Sequence, residues 1–546
     1  MKNGANLLLE CVKNQKVNKL FGVPGESYLS ILDQLLNFPE MKWIGARQEG
    51  GAAFMASAYA QLTGNPGVCF VTRGPGSTNA SIGVHTASQG SIPLILFIGQ
   101  VSSELIGREA FQELDYKLFF NGMAKWVTEI NNVNRIPEII GRAFATALSG
   151  RQGPVVVSLP ENILSENTQK LSIERVKISE PSISEEAFEK LKIKLSCSKR
   201  PLALVGGTGW SRKGIEDFHK FIDKNKIPVI SSFRRQDIFD NNSESYVGVA
   251  GFGKNQHLRN ALNDCDLILA FNSLIGDVVT DGYELFDVPK PKQYLIHVNP
   301  SDRELGKVYQ PDFPIHCGPN ILSNLLSKSK PLGNWQKYTK ILRQNHLNTL
   351  KVPEQPGNLD MGLVMQCLQE SLPDDVIFTN GAGNFSLWSN VHFRFSKNAR
   401  LLAPTSGAMG FGLPAALVAK LTYPKKTVIC FAGDGDIQMN IAELGIAMQY
   451  KCFPIIIIIN NSSYGTIRMH QEKSFPNRVN ATDIINPNFA LLSKSYGFSF
   501  SKVEKTKDFD FALKTALNKK NGAIIELVVS IESITPSKTL SSIKNS

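Results

Sequence analysis

The chain has 546 residues, of which 42% are hydrophobic and 20% are charged. A chain of this length is long enough for about three or four domains, and the composition is that of an ordinary globular protein. The formal net charge is +11, but the basic residues are spread along the chain, whereas a nucleic-acid-binding surface requires them clustered. The sequence therefore predicts no nucleic-acid partner, although the charge would attract small anionic substrates.

The N-terminal segment and the cysteines limit the cellular location. Residues 1–15 contain only a short leucine run before Glu10, which is too short for the apolar core of a signal peptide. No apolar run in the sequence approaches the length that spans a membrane. The eight cysteines stand singly, without the spacing of a metal site or a redox motif. We therefore expect a cytoplasmic protein with reduced thiols and no membrane association.

Apolar strand-like runs alternate with helix-like segments along most of the chain, in three blocks separated by polar stretches that read as linkers. This alternation is typical of doubly wound parallel sheets. We predict an α/β fold with three such domains, over residues 1–165, 190–325 and 359–530, followed by a mobile Ser/Thr/Lys-rich tail from Ser533. The clearest strand predictions are residues 67–72, 93–98, 154–159, 202–205, 267–271, 294–298, 427–432 and 454–459.

The third block contains a Gly-Asp-Gly motif, Gly433-Asp434-Gly435, at the end of one strand-like run. Asn461 follows the next such run, and residues 437–450 between them read as a crossover helix. Since the carboxyl ends of parallel strands meet at one edge of a sheet, we expect Asp434, Asn461 and the backbone carbonyl of Ser463 to lie close together. Such oxygens are the ligands that Mg²⁺ prefers, and the glycines let a diphosphate approach the backbone. Either motif alone would be a turn or a loop cap, but the pair predicts a site for a cation that carries a diphosphate.

The first block repeats this unit imperfectly. A strand-like run at residues 68–72 leads into Gly74-Pro75-Gly76, a helix-like segment and a strand that starts with Pro93, in the same order as in the third block. Such self-similarity indicates an internal duplication. Pro75 stands where the other copy has Asp434, so this copy cannot hold a cation in the same way. We expect the two copies to contact different parts of one ligand.

Together with further motifs, these residues resemble those of the thiamine-diphosphate (ThDP) enzymes of the acetolactate synthase and 2-oxo acid decarboxylase group. The resemblance covers nearly the whole chain and implies pyrimidine-binding, central and diphosphate-binding domains in that order. It also implies ThDP and Mg²⁺ as cofactors, a small 2-oxo acid as substrate, and a homodimer or homotetramer with active sites at the subunit interface. The further motifs are Phe21-Gly22-Val23-Pro24-Gly25, Arg47-Gln48-Glu49-Gly50-Gly51-Ala52-Ala53, Gly74-Pro75-Gly76-Ser77-Thr78-Asn79, Ala110-Phe111-Gln112-Glu113 and Gly407-Ala408-Met409-Gly410-Phe411-Gly412-Leu413-Pro414.

The resemblance assigns catalytic roles to particular residues. Glu49 matches the carboxyl group that hydrogen-bonds N1′ of the pyrimidine and promotes its imino form. Read alone, it would be a carboxylate that the dipole of the following apolar helix favours. Gln112 matches an acceptor-side residue able to donate a hydrogen bond to a substrate oxygen, and Glu26 matches an acidic residue that decarboxylases use for proton transfer. Met409 matches the bulky side chain that holds the cofactor bent, with Gly407 beside the pyrimidine.

The remaining matched positions are assigned to the metal or to other parts of the cofactor. Asp434, Asn461 and Ser463 are assigned to Mg²⁺. The other assigned cofactor contacts are Pro24, Thr72, Asn79, Gly383, Asn384, Gly433, Gly435, Asp436, Asn461, Tyr464 and Gly465. The resemblance therefore divides the cofactor between the first and third domains.

The central block departs from the synthase pattern. Where synthases carry Arg-Phe-Asp-Asp-Arg-Val-Thr, residues 272–280 contain no arginine. The arginine that holds the second oxo acid is missing, and FAD, which synthases commonly bind in this domain, is doubtful. Gly206-Gly207-Thr208-Gly209 is too weak a signal to restore a flavin site. Glu161 also replaces a synthase lysine, which makes branched-chain acceptor chemistry less secure than carboligation itself.

The leading hypothesis is a ThDP- and Mg²⁺-dependent carboligase that decarboxylates pyruvate or a related 2-oxo acid and transfers the acyl group to a second carbonyl compound. One alternative is a simple ThDP-dependent 2-oxo acid decarboxylase or lyase. Glu26 favours it, although His85 lacks the neighbouring histidine of such enzymes. A non-catalytic ThDP- or nucleotide-binding sensor is another alternative. Glu49 argues against it, because diphosphate binding requires only Asp434 and Asn461.

Overall fold

A computed structural model gives the fold of residues 2–545. It contains three six-stranded sheets in which all strand pairs are parallel, so the predicted α/β fold class is confirmed. The chain forms two compact units. One comprises the chain up to Ser179 together with Pro404–Pro424 and Asn440–Cys452. The other comprises Glu180–Ala403, Lys425–Met439 and the chain from Phe453 onwards.

The first sheet is built from strands whose central members are wholly buried and apolar, as expected for a sheet covered on both faces. Its strand order is β2-β1-β3-β4-β6-β5. The strands are β1 (Lys19–Gly22), β2 (Lys42–Gly45), β3 (Gly67–Val71), β4 (Leu94–Gln100), β5 (Trp126–Glu129) and β6 (Val155–Pro160). The helices are α1 (Gly4–Asn14), α2 (Leu29–Gln34), α3 (Glu49–Thr63), α4 (Pro75–Gly90), α5 (Tyr116–Phe120), α6 (Ile136–Leu148) and α7 (Glu161–Ser165).

The central sheet has the order β9-β8-β7-β10-β11-β12. Its strands are β7 (Pro201–Val205), β8 (Val229–Ser232), β9 (Tyr246–Ala250), β10 (Leu267–Phe271), β11 (Tyr294–Asn299) and β12 (Phe313–His316). Its helices are α8 (Glu185–Cys197), α9 (Arg212–Asn225), α10 (Gln256–Asp264), α11 (Pro319–Lys328) and α12 (Gln336–Thr349).

Two of these helices occupy polar stretches that the sequence suggested were linkers. Helix α8 lies within residues 165–199, and α12 lies within residues 327–358. Helix α8 is mostly charged but buries Leu191 and Leu195, which are spaced by one helical turn. A polar composition therefore hid two helices, of which α8 has only a narrow apolar stripe.

The third sheet has the order β14-β13-β15-β16-β18-β17. This is the order of the first sheet, strand for strand, and it supports the internal duplication. The strands are β13 (Ile377–Asn380), β14 (Arg400–Leu402), β15 (Val428–Gly433), β16 (Ile455–Asn460), β17 (Ser499–Val503) and β18 (Ala523–Val528). The helices from here on are α13 (Met361–Ser371), α14 (Phe385–His392), α15 (Gly412–Thr422), α16 (Asp434–Gln438), α17 (Leu444–Tyr450), α18 (Gly465–Ser474), α19 (Phe489–Ser495), α20 (Phe509–Leu517) and α21 (Leu540–Lys544).

The crossover helix expected over residues 437–450 is interrupted. Helix α16 ends at Gln438, a 3₁₀ turn spans Ile441–Glu443, and α17 follows. Asn440 at the break has non-helical backbone angles, with φ −135° and ψ 29°, and its side-chain amide donates to the carbonyl of Gly410 at 3.0 Å. This hydrogen bond fixes the side chain of the residue at which the helix breaks.

The tail and the small elements complete the description. The tail expected to be mobile contains α21, whose Leu540 and Ile543 pack with Ile534, because apolar residues three apart share one helix face. A two-stranded antiparallel pair joins Lys2–Asn3 to Asn167–Thr168. Within residues 2–545, no helix combines the length and apolar character needed to cross a membrane. The other 3₁₀ turns are Glu26–Tyr28, Leu35–Asn37, Val133–Arg135, Gln236–Ile238, Asp302–Glu304 and Thr506–Asp508.

Candidate active site

Glu49 is the first residue of α3, as the sequence predicts. Gln48 caps the helix, because its side-chain oxygen accepts a hydrogen bond from the backbone N–H of Gly51 at 3.0 Å. The half-buried Glu49 carboxylate accepts a hydrogen bond at Oε2 from Nδ2 of Asn79 in α4, at 2.9 Å. A Cβ on Gly76 would lie 3.4 Å from Oε1 of Glu49. Glu49 and Asn79, both predicted cofactor residues, thus lie together where α3 and α4 begin.

A second carboxylate, that of Glu443, lies beneath the start of α3. Its oxygens accept hydrogen bonds from the backbone N–H groups of Arg47, at 3.1 and 3.2 Å, and of Gln48, at 3.0 Å. Burial raises the pKa of Glu443 to about 7, against the effect of these two N–H groups, and the charge of Glu49 also raises it. The sequence did not single out Glu443. The available signal for a buried carboxylate was that Glu443 is the only acidic residue in the mostly apolar segment 441–448.

A buried arginine, Arg73, connects the residues predicted for the acceptor side. It is 8% exposed, and its Nη2 donates to Oε1 of Glu26 at 2.8 Å while its Nε donates to the carbonyl of Phe111 at 3.2 Å. Its Nη1 lies 3.7 Å from Oε1 of Glu161. Gln112, next to Phe111, is half-buried and has a left-handed φ of +64°, a conformation that costs about 1 kcal/mol or more. The structure therefore places Glu26 and the backbone beside Gln112 around the guanidinium of Arg73. The sequence analysis did not single out Arg73, although it directly precedes the Gly74-Pro75-Gly76 motif.

Thr72 holds the turn that contains Pro24 against the end of β3. Its Oγ1 is 2.8 Å from Oγ of Ser27, and a Cβ on Gly25 would lie 2.6 Å from its own Cβ. Pro24 itself is exposed. The contact makes Gly25 the residue that fits between the turn and the strand.

Gly407 and Met409 lie in the loop that leads into α15. Gly407 has φ +69°, which favours glycine, and its N–H donates to the carbonyl of Pro404 at 3.0 Å. Met409 is half-buried and lies directly before Gly410, which also has a left-handed φ of +79°. The glycines therefore fix the turn that carries Met409.

Asp434 begins α16 at the end of β15 and is 2% exposed. Its Oδ1 accepts from the N–H of Gly435 at 3.0 Å, and its Oδ2 accepts from Nδ2 of Asn486 at 2.8 Å. Burial raises the pKa of Asp434 despite these hydrogen bonds. Among residues 2–545, no Lys, Arg or His side chain forms an ion pair with it. Since a buried carboxylate is costly without a counter-charge, this position suits a bound cation.

The loop after β16 supplies the other predicted metal ligands. Strands β15 and β16 pair in register, with Gly433 opposite Ile459, so Asp434 and Asn461 follow neighbouring strand ends. Oδ1 of Asn461 accepts from the N–H of Ser463 at 3.1 Å, and the carbonyl of Ser463 accepts from the N–H of Gly465 at 2.8 Å. That carbonyl has a second lone pair for a cation.

Asn486 is an unpredicted part of the same region. Its Nδ2 donates both to Asp434 and, at 2.9 Å, to Oδ1 of Asn460. It also accepts a hydrogen bond from the side chain of Gln438 at 2.9 Å. A single asparagine in a loop before Pro487 carries no sequence signal for such a role.

The glycines of the predicted diphosphate site accommodate neighbouring rings and amides. A Cβ on either Gly383 or Gly433 would lie 2.8 Å from the ring of Phe385. The backbone N–H of Asn384 donates to Oγ1 of Thr466 at 2.9 Å. A Cβ on Gly435 would meet the ring of Tyr464 at 2.7 Å, and one on Gly465 would meet Nδ2 of Asn461 at 2.9 Å. Asp436 is 3% exposed, and its Oδ1 accepts from the N–H of Ala382 at 2.9 Å.

The central sheet has its topological switch point between β7 and β10, where α/β sheets bind nucleotides. The glycines at the end of β7 are closely packed by the protein itself. A Cβ on Gly207 would lie 2.1 Å from the carbonyl oxygen of Asn272, and one on Gly206 would lie 2.1 Å from Oγ of Ser232. Trp210 donates to the carbonyl of Gly206 at 2.8 Å and stacks on Phe271 with ring centroids 5.7 Å apart. Together with the departures of the sequence from the synthase pattern, this close packing leads us to expect no flavin dinucleotide at this position.

Comparison with known proteins gives matches along most of the chain. Residues 2–119 match the thiamine pyrophosphate enzyme, N-terminal TPP binding domain, residues 188–325 match the central domain, and residues 381–527 match the C-terminal TPP binding domain. The acetolactate synthase large subunit of Lactococcus lactis subsp. lactis (strain IL1403) is 31% identical over 545 residues, covering 97% of this chain and 92% of the relative. The acetolactate synthase isozyme 2 large subunit of Escherichia coli (strain K12) is 28% identical over 540 residues, covering 98% and 97%.

These matches define the class of protein. The chain belongs to the thiamine pyrophosphate enzyme family. Within that family it is a ThDP-dependent enzyme of the acetolactate synthase kind, so the predicted family and the prediction of an enzyme are confirmed. The predicted domain boundaries and the roles of individual residues stay predictions.

Proposed function

We propose that the protein is a ThDP- and Mg²⁺-dependent carboligase that decarboxylates pyruvate or a related 2-oxo acid and transfers the acyl group to a second carbonyl compound. The observation that carries this proposal is the placement of Glu49 as the first residue of α3, half-buried and hydrogen-bonded to Asn79. The names of the relatives, acetolactate synthase large subunits, support a small 2-oxo acid as substrate.

The residues present fit the two cofactors. Asp434, Asn461 and the carbonyl of Ser463 offer Mg²⁺ one carboxylate and two neutral oxygens, and the buried Asp434 has no other counter-charge among residues 2–545. The loops at Gly433 and Gly383 are suited to hold the diphosphate. When bound, ThDP supplies a nucleophilic carbon and an electron sink for decarboxylation.

Within the protein, Glu49 holds the proton that the chemistry requires. Asn79 occupies Oε2, so Oε1 is the atom left to carry a proton toward the pyrimidine. On the acceptor side, Gln112 orients a substrate oxygen by a hydrogen bond. Arg73 and Glu26 fix the wall of that side through their ion pair.

The test is an assay of the purified protein with ThDP, Mg²⁺ and pyruvate, in which acetolactate and acetaldehyde are both measured. We expect acetolactate as the main product, and a Glu49→Gln variant that retains the fold but loses most of the rate. Acetaldehyde alone would favour the simple decarboxylase, to which Glu26 also points. Absence of both products would refute pyruvate as the substrate. An unchanged rate in Glu49→Gln would contradict the proposal that Glu49 carries a proton to the cofactor.

The metal is tested separately by thermal unfolding with and without ThDP and Mg²⁺. Ligands that bind the folded state raise its melting temperature. Asp434→Asn should abolish most of this increase, because the amide cannot supply the anionic oxygen that the cation requires. An undiminished increase in Asp434→Asn would contradict the assignment.

We also propose a homodimer or homotetramer with active sites at the subunit interface. The family resemblance supports this, and the names of the relatives as large subunits raise the further question of a regulatory small subunit. Light scattering on the purified chain measures the assembly. A strict monomer that is fully active would refute the shared site.

A further inference from the structure

Arg234 lies in the loop after β8 and is 3% exposed. It has a left-handed φ of +58°, which for an arginine is a strained conformation held by its surroundings. Its Nη2 donates to the carbonyl of Gly381 at 2.9 Å and to Oγ of Ser386 at 3.3 Å. The guanidinium of Arg234, which follows a strand of the central sheet, therefore binds the backbone that immediately follows β13.

Asp436 binds the adjacent N–H group of the same backbone segment. It lies in α16, and its Oδ1 accepts from the N–H of Ala382 at 2.9 Å. The carbonyl of Gly381 and the N–H of Ala382 belong to one peptide unit. Both polar groups of that peptide are thus bound by buried, charged side chains of opposite sign. A Cβ on Gly381 would lie 2.1 Å from Oδ1 of Asp436, so only glycine fits at position 381.

The electrostatics support mutual dependence. Burial lowers the pKa of Arg234 to about 10, and the charge of Asp436 opposes this shift. Each charge lowers the cost of burying the other. The effects of removing the two should therefore be less than additive.

We propose that Arg234 and Asp436 are positioning residues that hold the Gly381–Ala382 peptide, and with it the Gly383–Asn384 loop, in the shape that receives the diphosphate of the cofactor. The inference rests on the proposed function, which assigns this loop to the diphosphate. Helix α16 also begins with the proposed metal ligand Asp434. Helix α16 therefore carries both the proposed metal ligand Asp434 and Asp436, which binds the Gly381–Ala382 peptide.

The experiment is a double-mutant cycle with Arg234→Met, Asp436→Asn and the double variant, measuring ThDP affinity in the presence of Mg²⁺ by calorimetry. We expect each single variant to lose on the order of 10- to 100-fold in affinity, as is typical for residues that support metal ligands. The double variant should lose less than the product of the two single losses, because it removes both of the charges that interact in the wild type. Arg235→Met is the matched control, since Arg235 is adjacent and half-buried but has Asp237 and Arg400 as its charged neighbours.

A second readout requires no cofactor. Hydrogen exchange of the amides at residues 381–384 should be faster in Arg234→Met than in the wild type or in Arg235→Met. If Arg234→Met fails to fold, Arg234→Lys keeps the charge but replaces the planar guanidinium with a compact ammonium on a different stem, and the same comparison applies.

The outcomes separate the two claims. A wild type that does not bind ThDP refutes the proposed function and this inference with it. A wild type that binds ThDP, combined with unchanged affinity and exchange in the Arg234 variants, refutes the inference alone. Equal losses in Arg235→Met, or losses that multiply in the double variant, would also overturn it, because they indicate general destabilisation.

Discussion

At the start of α3 two carboxylates serve different purposes within one small region. Glu49 presents its carboxylate at the helix terminus, whereas Glu443 is wholly buried and accepts the backbone N–H groups of Arg47 and Gln48. Those N–H groups would be unsatisfied without an acceptor. Glu443 therefore shapes the turn from which Glu49 projects.

The raised pKa of Glu443 predicts a pH-dependent stability. Its pKa is raised from 4.5 to about 7, so between these values the folded protein holds a proton that the unfolded chain has released. The stabilisation is complete below the unfolded pKa and is lost as the pH rises through about 7. Relative to Glu443→Gln, the unfolding free energy of the wild type should fall by on the order of 3 kcal/mol between about pH 5 and about pH 8. Urea unfolding across this range measures it, and parallel profiles for the two proteins would contradict it.

Arg73 should control how the reaction ends. It holds Glu26 through a 2.8 Å ion pair and the carbonyl beside Gln112 through a 3.2 Å hydrogen bond. In Arg73→Met both anchors are lost, so an acceptor is held less well and protonation competes. We expect the ratio of acetolactate to acetaldehyde to fall on the order of tenfold, since small misplacements of reacting groups have effects of this size or larger.

The control for Arg73 is Glu161→Gln, which removes only the longer contact of 3.7 Å. This variant should keep a product ratio close to that of the wild type. A wild-type ratio in Arg73→Met, or equal changes in the two variants, would show that Arg73 does not hold the acceptor side.

At the scale of elements, α3 and α4 lie unusually close together. A Cβ on Gly83 of α4 would lie only 2.2 Å from the Cβ of Ala53 in α3. This close approach allows Asn79 at the start of α4 to reach Glu49 at the start of α3. The packing of two helices is thus coupled to one hydrogen bond of the site.

Gly83→Val should separate these helices. Overpacking of this kind typically costs 1–3 kcal/mol, roughly, in unfolding free energy. It should also lower the reaction rate, because the hydrogen bond between Asn79 and Glu49 is lengthened. Gly122→Ala is the control, since nothing lies within 4 Å of a Cβ there. Wild-type activity and stability in Gly83→Val would show that the helices can shift without consequence.

The sequence was informative about elements where burial dominates. The runs at residues 428–433 and 455–460 are continuous, apolar and β-branched, and both form central strands. Strands β8, β9 and β12 are among those that were missed, and each is short and contains Ser, Gly, Pro or His among its apolar residues. The break in the crossover helix lies at Asn440, whose side chain donates a hydrogen bond to the distant carbonyl of Gly410. The local sequence cannot show such a contact.

The same distinction holds for the candidate site. Asp434 and Asn461 follow strand ends, so their nearness was predictable from the parallel-sheet rule alone. Asn486 and Arg234 reach their partners through loops far away in the chain, at Asp434 and at Gly381. Such contacts depend on tertiary packing and leave no periodic signal in the sequence.

At the scale of the whole molecule, the first and third sheets share one strand order but have diverged in chemistry. The turn after β3 carries Pro75, and the turn after β15 carries the buried Asp434. Their common architecture supports an origin by duplication, and their residues support a division of labour for one cofactor. The central sheet has a different order, which sets it apart from this pair.

The central sheet provides the last prediction, that the purified enzyme carries no flavin. Its switch point is the position at which such sheets bind dinucleotides, but Asn272 and Ser232 pack closely against Gly207 and Gly206. A nucleotide could enter only by displacing these buried polar groups from their contacts, at a cost of a few kcal/mol, roughly. We therefore expect a colourless protein whose ThDP-dependent activity is unchanged by added FAD, measured by visible absorption and by chromatography of the denatured supernatant. Stoichiometric FAD in that supernatant, or activity that requires added FAD, would show that the crevice opens and that this chain retains the flavin requirement.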